Sequence, residues 1–246
     1  MKALYFDCFS GISGDMTLGA LLDLGIDKDA FLAEMAKLNV EGFEIKIGRT
    51  EKSGIGAQDV DVILTNGEFI DEHHHHEHRS PEDIIHIIGH ASMTDSAREL
   101  ACKIVKILAN AEAKAHGVPL EQVHFHEVGA VDSIVDIVAA AVCADSLELD
   151  EVYIPQLNEG RGMVRCQHGL LPIPVPAVAN IISANQLKMH ITDVEGELVT
   201  PTGAAIAAAL RTQDQLPEKF TIQKVGMGAG KREYACVGVL RAMMIE

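Results

Sequence analysis

Between Val123 and Asp136 the chain places two histidines, one glutamate and two aspartates within fourteen residues: His124, His126, Glu127, Asp132 and Asp136. In an extended segment, residues two apart point the same way, so His124 and His126 would share a face. Gly129 can turn the chain there. Val131, Ile134, Val135 and Val138 then recur at helical spacing, which predicts a helix from about Asp132. Asp132 and Asp136 are four apart and would stack on one face of it. Two imidazoles and up to three carboxylates can therefore converge at one strand-turn-helix corner. That mixed donor set suits a borderline transition metal. The competing reading has Asp132 as a helix cap, Asp136 solvated and both histidines on an edge strand. The stretch has no HExxH pattern and the chain has no paired CxxC, so spacing does not choose the metal.

A second candidate lies near the start. Leu4-Tyr5-Phe6 reads as a buried strand, and Asp7-Cys8-Phe9-Ser10-Gly11-Ile12-Ser13-Gly14-Asp15 leads from it into a helix over residues 16–24. Backbone amides of a Gly/Ser-rich strand-to-helix turn can hold a phosphate or carboxylate. That makes Ser10, Gly11, Ser13 and Gly14 candidate anion ligands, and Asp7 and Asp15 candidate ion ligands or proton acceptors. Alternatively Ser13 or Asp15 simply caps the helix. The run matches neither the Walker pattern nor GxGxxG. Thr200, Thr202 and Gly203 open an Ala-rich helix with Pro201 at its first position; the hydroxyls and free amides there also suit a phosphate.

The third candidate is a tract holding His73, His74, His75, His76 and His78. Such tracts bind nickel, zinc and copper without needing a fold. Residues 66–80 lack apolar periodicity and are expected to form a mobile loop, so this would be an exchangeable metal site. Two further segments invite anion readings. Arg161 and Arg165 stand among glycines in an acidic chain. Residues 225–232 look like a P-loop but are one residue short and carry Arg232 where Ser or Thr is required, so a flexible anion-facing glycine loop or a hinge is expected instead.

The elements that must position these groups follow from patterning. The 246 residues include 48% hydrophobic and 23% charged residues, enough for a true core, which must be aliphatic because aromatics are 4% and Trp is absent. Residues 28–38 predict a helix, and 43–47 with 59–64 an antiparallel strand pair around Gly54 and Gly56. Ser80-Pro81 starts a helix in which His86 and His90 are a surface pair. Residues 94–116 form a long amphipathic helix ended by Gly117. A strand over 151–154, a helix over 177–184 and a final apolar strand or edge over 238–246 complete an α/β fold: helices packed on a mixed sheet, with the antiparallel pair as subdomain or edge, in a single domain. The net charge of −16 disfavours nucleic acid and anionic membranes as partners. Five scattered cysteines, without metal-clip spacing, and no secretory signal or long apolar run fit a reducing cytoplasm.

Five segments together carry a resemblance. They are residues 4–16, the His tract, His124-Phe125-His126-Glu127-Val128-Gly129-Ala130-Val131-Asp132-Ser133, Pro172-Ile173-Pro174-Val175-Pro176-Ala177, and Glu197-Leu198-Val199-Thr200-Pro201-Thr202-Gly203-Ala204. The chain resembles the LarC family, nickel insertion proteins of nickel-pincer nucleotide biosynthesis that serve lactate racemase. The resemblance implies a CTP-dependent cyclometallase acting on pyridinium-3,5-bisthiocarboxylic acid mononucleotide, assisted by manganese or magnesium. It also implies a second region, absent here, that binds CTP and forms oligomers. That separate C-terminal region and lactate racemase are the implied partners, and a homo-oligomer is left open. On this reading His124, His126 and Glu127 lead the nickel site, Asp132 or Asp136 is a ligand, a support behind the ligands or the base, and Ser10, Gly11, Ser13 and Gly14 hold the phosphate. The rivals are a non-catalytic nickel store and a metal-dependent phosphohydrolase using Asp7, Asp15 and the His-Glu corner.

Overall fold

The computed structural model describes residues 2–38, 40–65, 79–123, 125 and 131–246. Its main sheet has six strands in the order β2-β3-β9-β10-β1-β4. They are β1 (Ala3–Asp7), β2 (Phe43–Lys52), β3 (Ile55–Leu64), β4 (Glu151–Tyr153), β9 (Ile222–Ala229) and β10 (Val239–Ile245). The β1/β4 and β3/β9 pairs are parallel; β1/β10, β9/β10 and β2/β3 are antiparallel. The sheet is therefore mixed, with the predicted antiparallel pair at one edge. Two small sheets stand apart: β5 (Leu157–Arg161) beside β8 (Met189–Glu195), and the hairpin β6 (Met163–Cys166) with β7 (Gly169–Pro172).

Strand alternation sets the layers. On β1, Leu4 and Phe6 enter the main core; Ala3 joins Tyr153, Met243 and Ile245 in a small second cluster, with Tyr5 and Phe220 packed against it. The main core is aliphatic and helical. Helix α1 (Gly14–Asp23) lies on β3 and β9 and touches α5 (Val131–Ser146); α4 (Asp95–His116) packs on α5, α6 (Pro176–Asn185) and α7 (Pro201–Leu210). Helices α2 (Lys28–Met35) and α3 (Pro81–His90) complete the set. Caps follow the local chemistry. Ser13, Thr94 and Thr200 each accept from a backbone amide of the first turn, and Ser80 forms a capping box with Asp83. Gly117 closes α4 at φ 66°.

Three expectations are corrected. The antiparallel strands run ten residues each, to a two-residue turn, because Ser53 and Gly54 both take positive φ and continue the ladder to Lys52↔Ile55. The final apolar segment is not an edge: β10 lies between β9 and β1. The glycines of 225–232 are not a flexible loop. Gly226 and Gly228 sit within β9, where an added Cβ would lie 2.1 Å from the Ala20 carbonyl oxygen and 1.9 Å from that of Met16. They are glycine because α1 presses directly on the strand. Among the described residues no helix is long and apolar enough to cross a membrane.

Candidate functional site

The turn after β1 is fastened to the segment before α7. The Ile12 amide donates to the Leu198 carbonyl (2.9 Å), and the Thr200 amide donates to the Ile12 carbonyl (3.1 Å). Gly203 lies beneath that contact; a Cβ there would be 2.2 Å from the Ile12 oxygen. Gly11, at φ +86°, faces the Leu198 carbonyl equally closely. Gly11, Ile12 and Gly203 donate their amides to Cys8, Leu198 and the Thr200 hydroxyl respectively. Gly11 and Gly203 therefore serve packing, and Thr200 serves as the cap; these amides are spent within the chain rather than turned to an anion.

This clamp forms one wall of a cavity of about 360 Å³. Ser10, Ser13 and Asp15 line it from the turn and start of α1, Asp132 and Asp136 from the first turns of α5, and Asp61 from β3. Thr200, Glu197, Lys231, Arg232 and Tyr234 close the remaining side. Asp15, Asp132 and Asp136 gather in this lining. The Ser13 hydroxyl donates to Asp15 Oδ1 and accepts from the Met16 amide. Gly14 leaves room for Asp136: a Cβ there would meet Asp136 Oδ2 at 2.5 Å. Burial pushes the Asp15 carboxyl up. Asp136 is pushed well above the usual carboxylate range, first by burial and then by the charges of Asp15 and Asp132, with Lys231 opposing.

The same lining holds two cations, each paired with carboxylates. Lys231 Nζ bonds Asp59 (2.5 Å) and Asp61 (2.7 Å); burial lowers its pKa, but these carboxylates leave the ammonium above its ordinary value. Arg232 Nη1 bonds Glu197 Oε2 at 2.9 Å, and Tyr234 Oη donates to the Glu197 carbonyl at 2.7 Å. Sequence reasoning rejected a P-loop over 225–232 and expected an anion-facing loop or a hinge there, without assigning a role to either cation. Their signal was two adjacent basic residues in a strongly acidic chain.

Asp15, Asp132 and Asp136, predicted from separate segments, thus come together, and Ser10, Ser13 and Thr200 join them. Asp7 does not line the cavity; Arg241, across the β1/β10 pair, bonds it through Nη2 and Nε. Arg161, another candidate for an anion, is held by Asp193 and Glu195. His86 and His90 stack on α3 at 4.2 Å, as a surface pair. His124, His126, Glu127 and the tract His73, His74, His75, His76 and His78 lie outside the described residues. Phe125 and Val131, on either side of the undescribed 126–130, are described: Phe125 is buried and pairs with Arg79, and Val131 begins α5. Among the described residues no three His, Cys, Asp or Glu already meet at coordinating distance.

Fold and cavity together define an α/β protein with a carboxylate-lined pocket that can accept a cation, beside a wall of Lys231 and Arg232 paired with Asp59, Asp61 and Glu197. The family model described as nickel insertion protein matches residues 4–246, and the chain belongs to that family. It is similar to the pyridinium-3,5-bisthiocarboxylic acid mononucleotide nickel insertion proteins of Alkaliphilus metalliredigens (54% identical, over 99% of this chain and 60% of the relative), Acetivibrio thermocellus (45%, 99% and 60%) and Clostridium kluyveri (42%, 100% and 62%). The chain spans about 60% of the length of these relatives. No solved structure matches it.

Proposed function

We propose that this chain is the part of a nickel insertion protein that holds pyridinium-3,5-bisthiocarboxylic acid mononucleotide while nickel is inserted into it. The carrying observation is that one cavity gathers Asp15 and Asp136, whose carboxyls are pushed up by burial, beside Lys231 and Arg232 with their paired carboxylates. A mononucleotide has matching polarity. Its phosphate meets Arg232, Lys231 and the Ser10 and Thr200 hydroxyls, and its pyridinium ring and thiocarboxylates reach toward Asp15, Asp132 and Asp136.

In the reaction a carbon–nickel bond replaces a ring carbon–hydrogen bond, and two sulfur–nickel bonds form. The released ring proton needs an acceptor. A carboxylate of raised pKa is a stronger base than an ordinary one, and Asp136 fits that role, with Asp15 held beside it by Ser13. Oxygen and imidazole ligands hold nickel less firmly than thiolates, so the ion can pass to the substrate's sulfurs. His124, His126 and Glu127, which approach α5 in the sequence, are the proposed remaining nickel ligands. The His tract is proposed as an exchangeable nickel reservoir. CTP, with manganese or magnesium, is assigned to the second region of the family, and lactate racemase to the downstream user of the product.

The test is nickel incorporation into the mononucleotide by the chain together with its second region and CTP. Asp136→Asn should lower the insertion rate by about 100-fold or more, the scale of a lost general base. A rate within twofold of the parent would remove Asp136, and the cavity, from the reaction.

A further inference from the structure

Beyond the clamp lies a second cavity of about 370 Å³. Its wall is shared with the first: Glu197 and Arg232, joined at 2.9 Å, line both. The lining of the second contains a donor set of different character: Cys166 and His168 from the β6/β7 hairpin, and Glu112 and His116 from the last turns of α4. Cys166 Sγ and His168 Nδ1 are 4.0 Å apart, and the His168 and His116 rings are adjacent, with centroids at 4.9 Å and planes tilted by 49°. His116 Nε2 is 3.5 Å from Glu112 Oε2.

These spacings have a scale. Bonds of about 2.3 Å to sulfur and about 2.0–2.1 Å to nitrogen place two ligands of one tetrahedral ion roughly 3.5 Å apart, and nitrogen and oxygen ligands slightly closer. The two donor pairs are each within about half an ångström of that separation. They do not yet meet at one point. His116 and His168 are exposed and Cys166 and Glu112 partly so, so the four side chains lie outside the packed core.

We propose that this second cavity is a metal site in which Cys166, His168 and His116, with Glu112, bind a late first-row divalent ion such as nickel. Binding replaces the Cys166 S–H bond with a sulfur–metal bond, and the proton leaves to solvent. One thiolate and two imidazoles select such an ion over magnesium or manganese, which the all-oxygen end of the first cavity suits better. The binding does not rest on the insertion reading. If that reading holds, the site is a station from which the ion passes the Glu197–Arg232 pair into the first cavity.

The probe is cobalt(II) added to the whole chain. Thiolate ligation produces a near-ultraviolet sulfur-to-cobalt absorption that the His tract cannot give. The band should appear in the parent, vanish in Cys166→Ser and persist in Cys236→Ser, the control for another partly exposed thiol. His168→Gln should weaken cobalt binding read from this band at least tenfold. No band in the parent, a band surviving Cys166→Ser, or equal loss from Cys236→Ser would overturn the site. Asp136→Asn should keep the band whatever it does to nickel insertion, so the two proposals fail independently.

Discussion

Asp136 is disfavoured as an anion by its surroundings, and those surroundings can be edited one charge at a time. Asp132 pushes its pKa up and Lys231 pulls it down. If ionised Asp136 takes the ring proton, the insertion rate rises with pH through the Asp136 titration. Lys231→Met should then move that acid limb to higher pH, and Asp132→Asn should move it to lower pH. A pH–rate profile of both variants checks the pair. Movement of both limbs in one direction would assign the titration to another group. Asp59 and Asp61 lose their partner in the lysine variant, so it should also lose roughly 1 kcal/mol of stability, which a denaturant titration reads.

Secondary structure was legible where local chemistry decides it. Ser80-Pro81, Thr94 with Gly117, and Thr200-Pro201 each gave a helix end that the structure places within a residue. What sequence could not give was the reason for glycines whose neighbours are distant. Gly226 and Gly228 read as loop because nothing local shows α1 pressing on β9. Gly203 read as a phosphate turn because its contact is Ile12, nearly two hundred residues away. The carboxylate half of the cavity was visible, because the i, i+4 spacing of Asp132 and Asp136 survives in α5; of the cationic half only an anion-facing loop was legible, because the pairing of Lys231 with β3 and of Arg232 with Glu197 joins distant segments. Gly228→Ala tests the helix-strand contact. Its Cβ would meet the Met16 carbonyl oxygen at 1.9 Å, with backbone rather than a flexible side chain in the way. The helix must move, so the cost should be about 3 kcal/mol, the upper part of the overpacking range, read as a lower midpoint in urea with unchanged slope. Because α1 carries Asp15, nickel insertion should fall with it.

At the scale of the molecule, the buried carboxyls set how stability depends on pH. Glu159 is fully buried where β5 meets the segment before α7. Its Oε1 accepts the amides of Gly160, Leu198 and Val199 at 2.7, 2.7 and 3.1 Å, while Oε2 has no hydrogen-bond partner among the described residues. Burial pushes it from 4.5 up to about 7, against those three amides. Asp15 and Asp136 are displaced in the same direction. A carboxyl whose folded pKa is raised contributes its stability fully below the unfolded value and loses it as pH climbs through the folded value. For Glu159 that window runs from 4.5 to about 7, and the displacement corresponds to about 3 kcal/mol. Asp83 and Asp214 are displaced downward, but Asp83 is exposed and Asp214 partly so, and their loss lies at pH below the ordinary carboxylate range. The net charge of −16 adds self-repulsion that also eases as pH falls. The chain should therefore be more stable near pH 5.5 than near pH 8. Glu159→Gln keeps an oxygen for the three amides and cannot ionise, so it should unfold at higher temperature than the parent at pH 8 and flatten the slope between pH 5 and 8. Thermal unfolding across that range, parent against variant, decides it: a parent more stable at pH 8 than at pH 5.5 would mean Glu159 stays ionised, its three amides outweighing its burial.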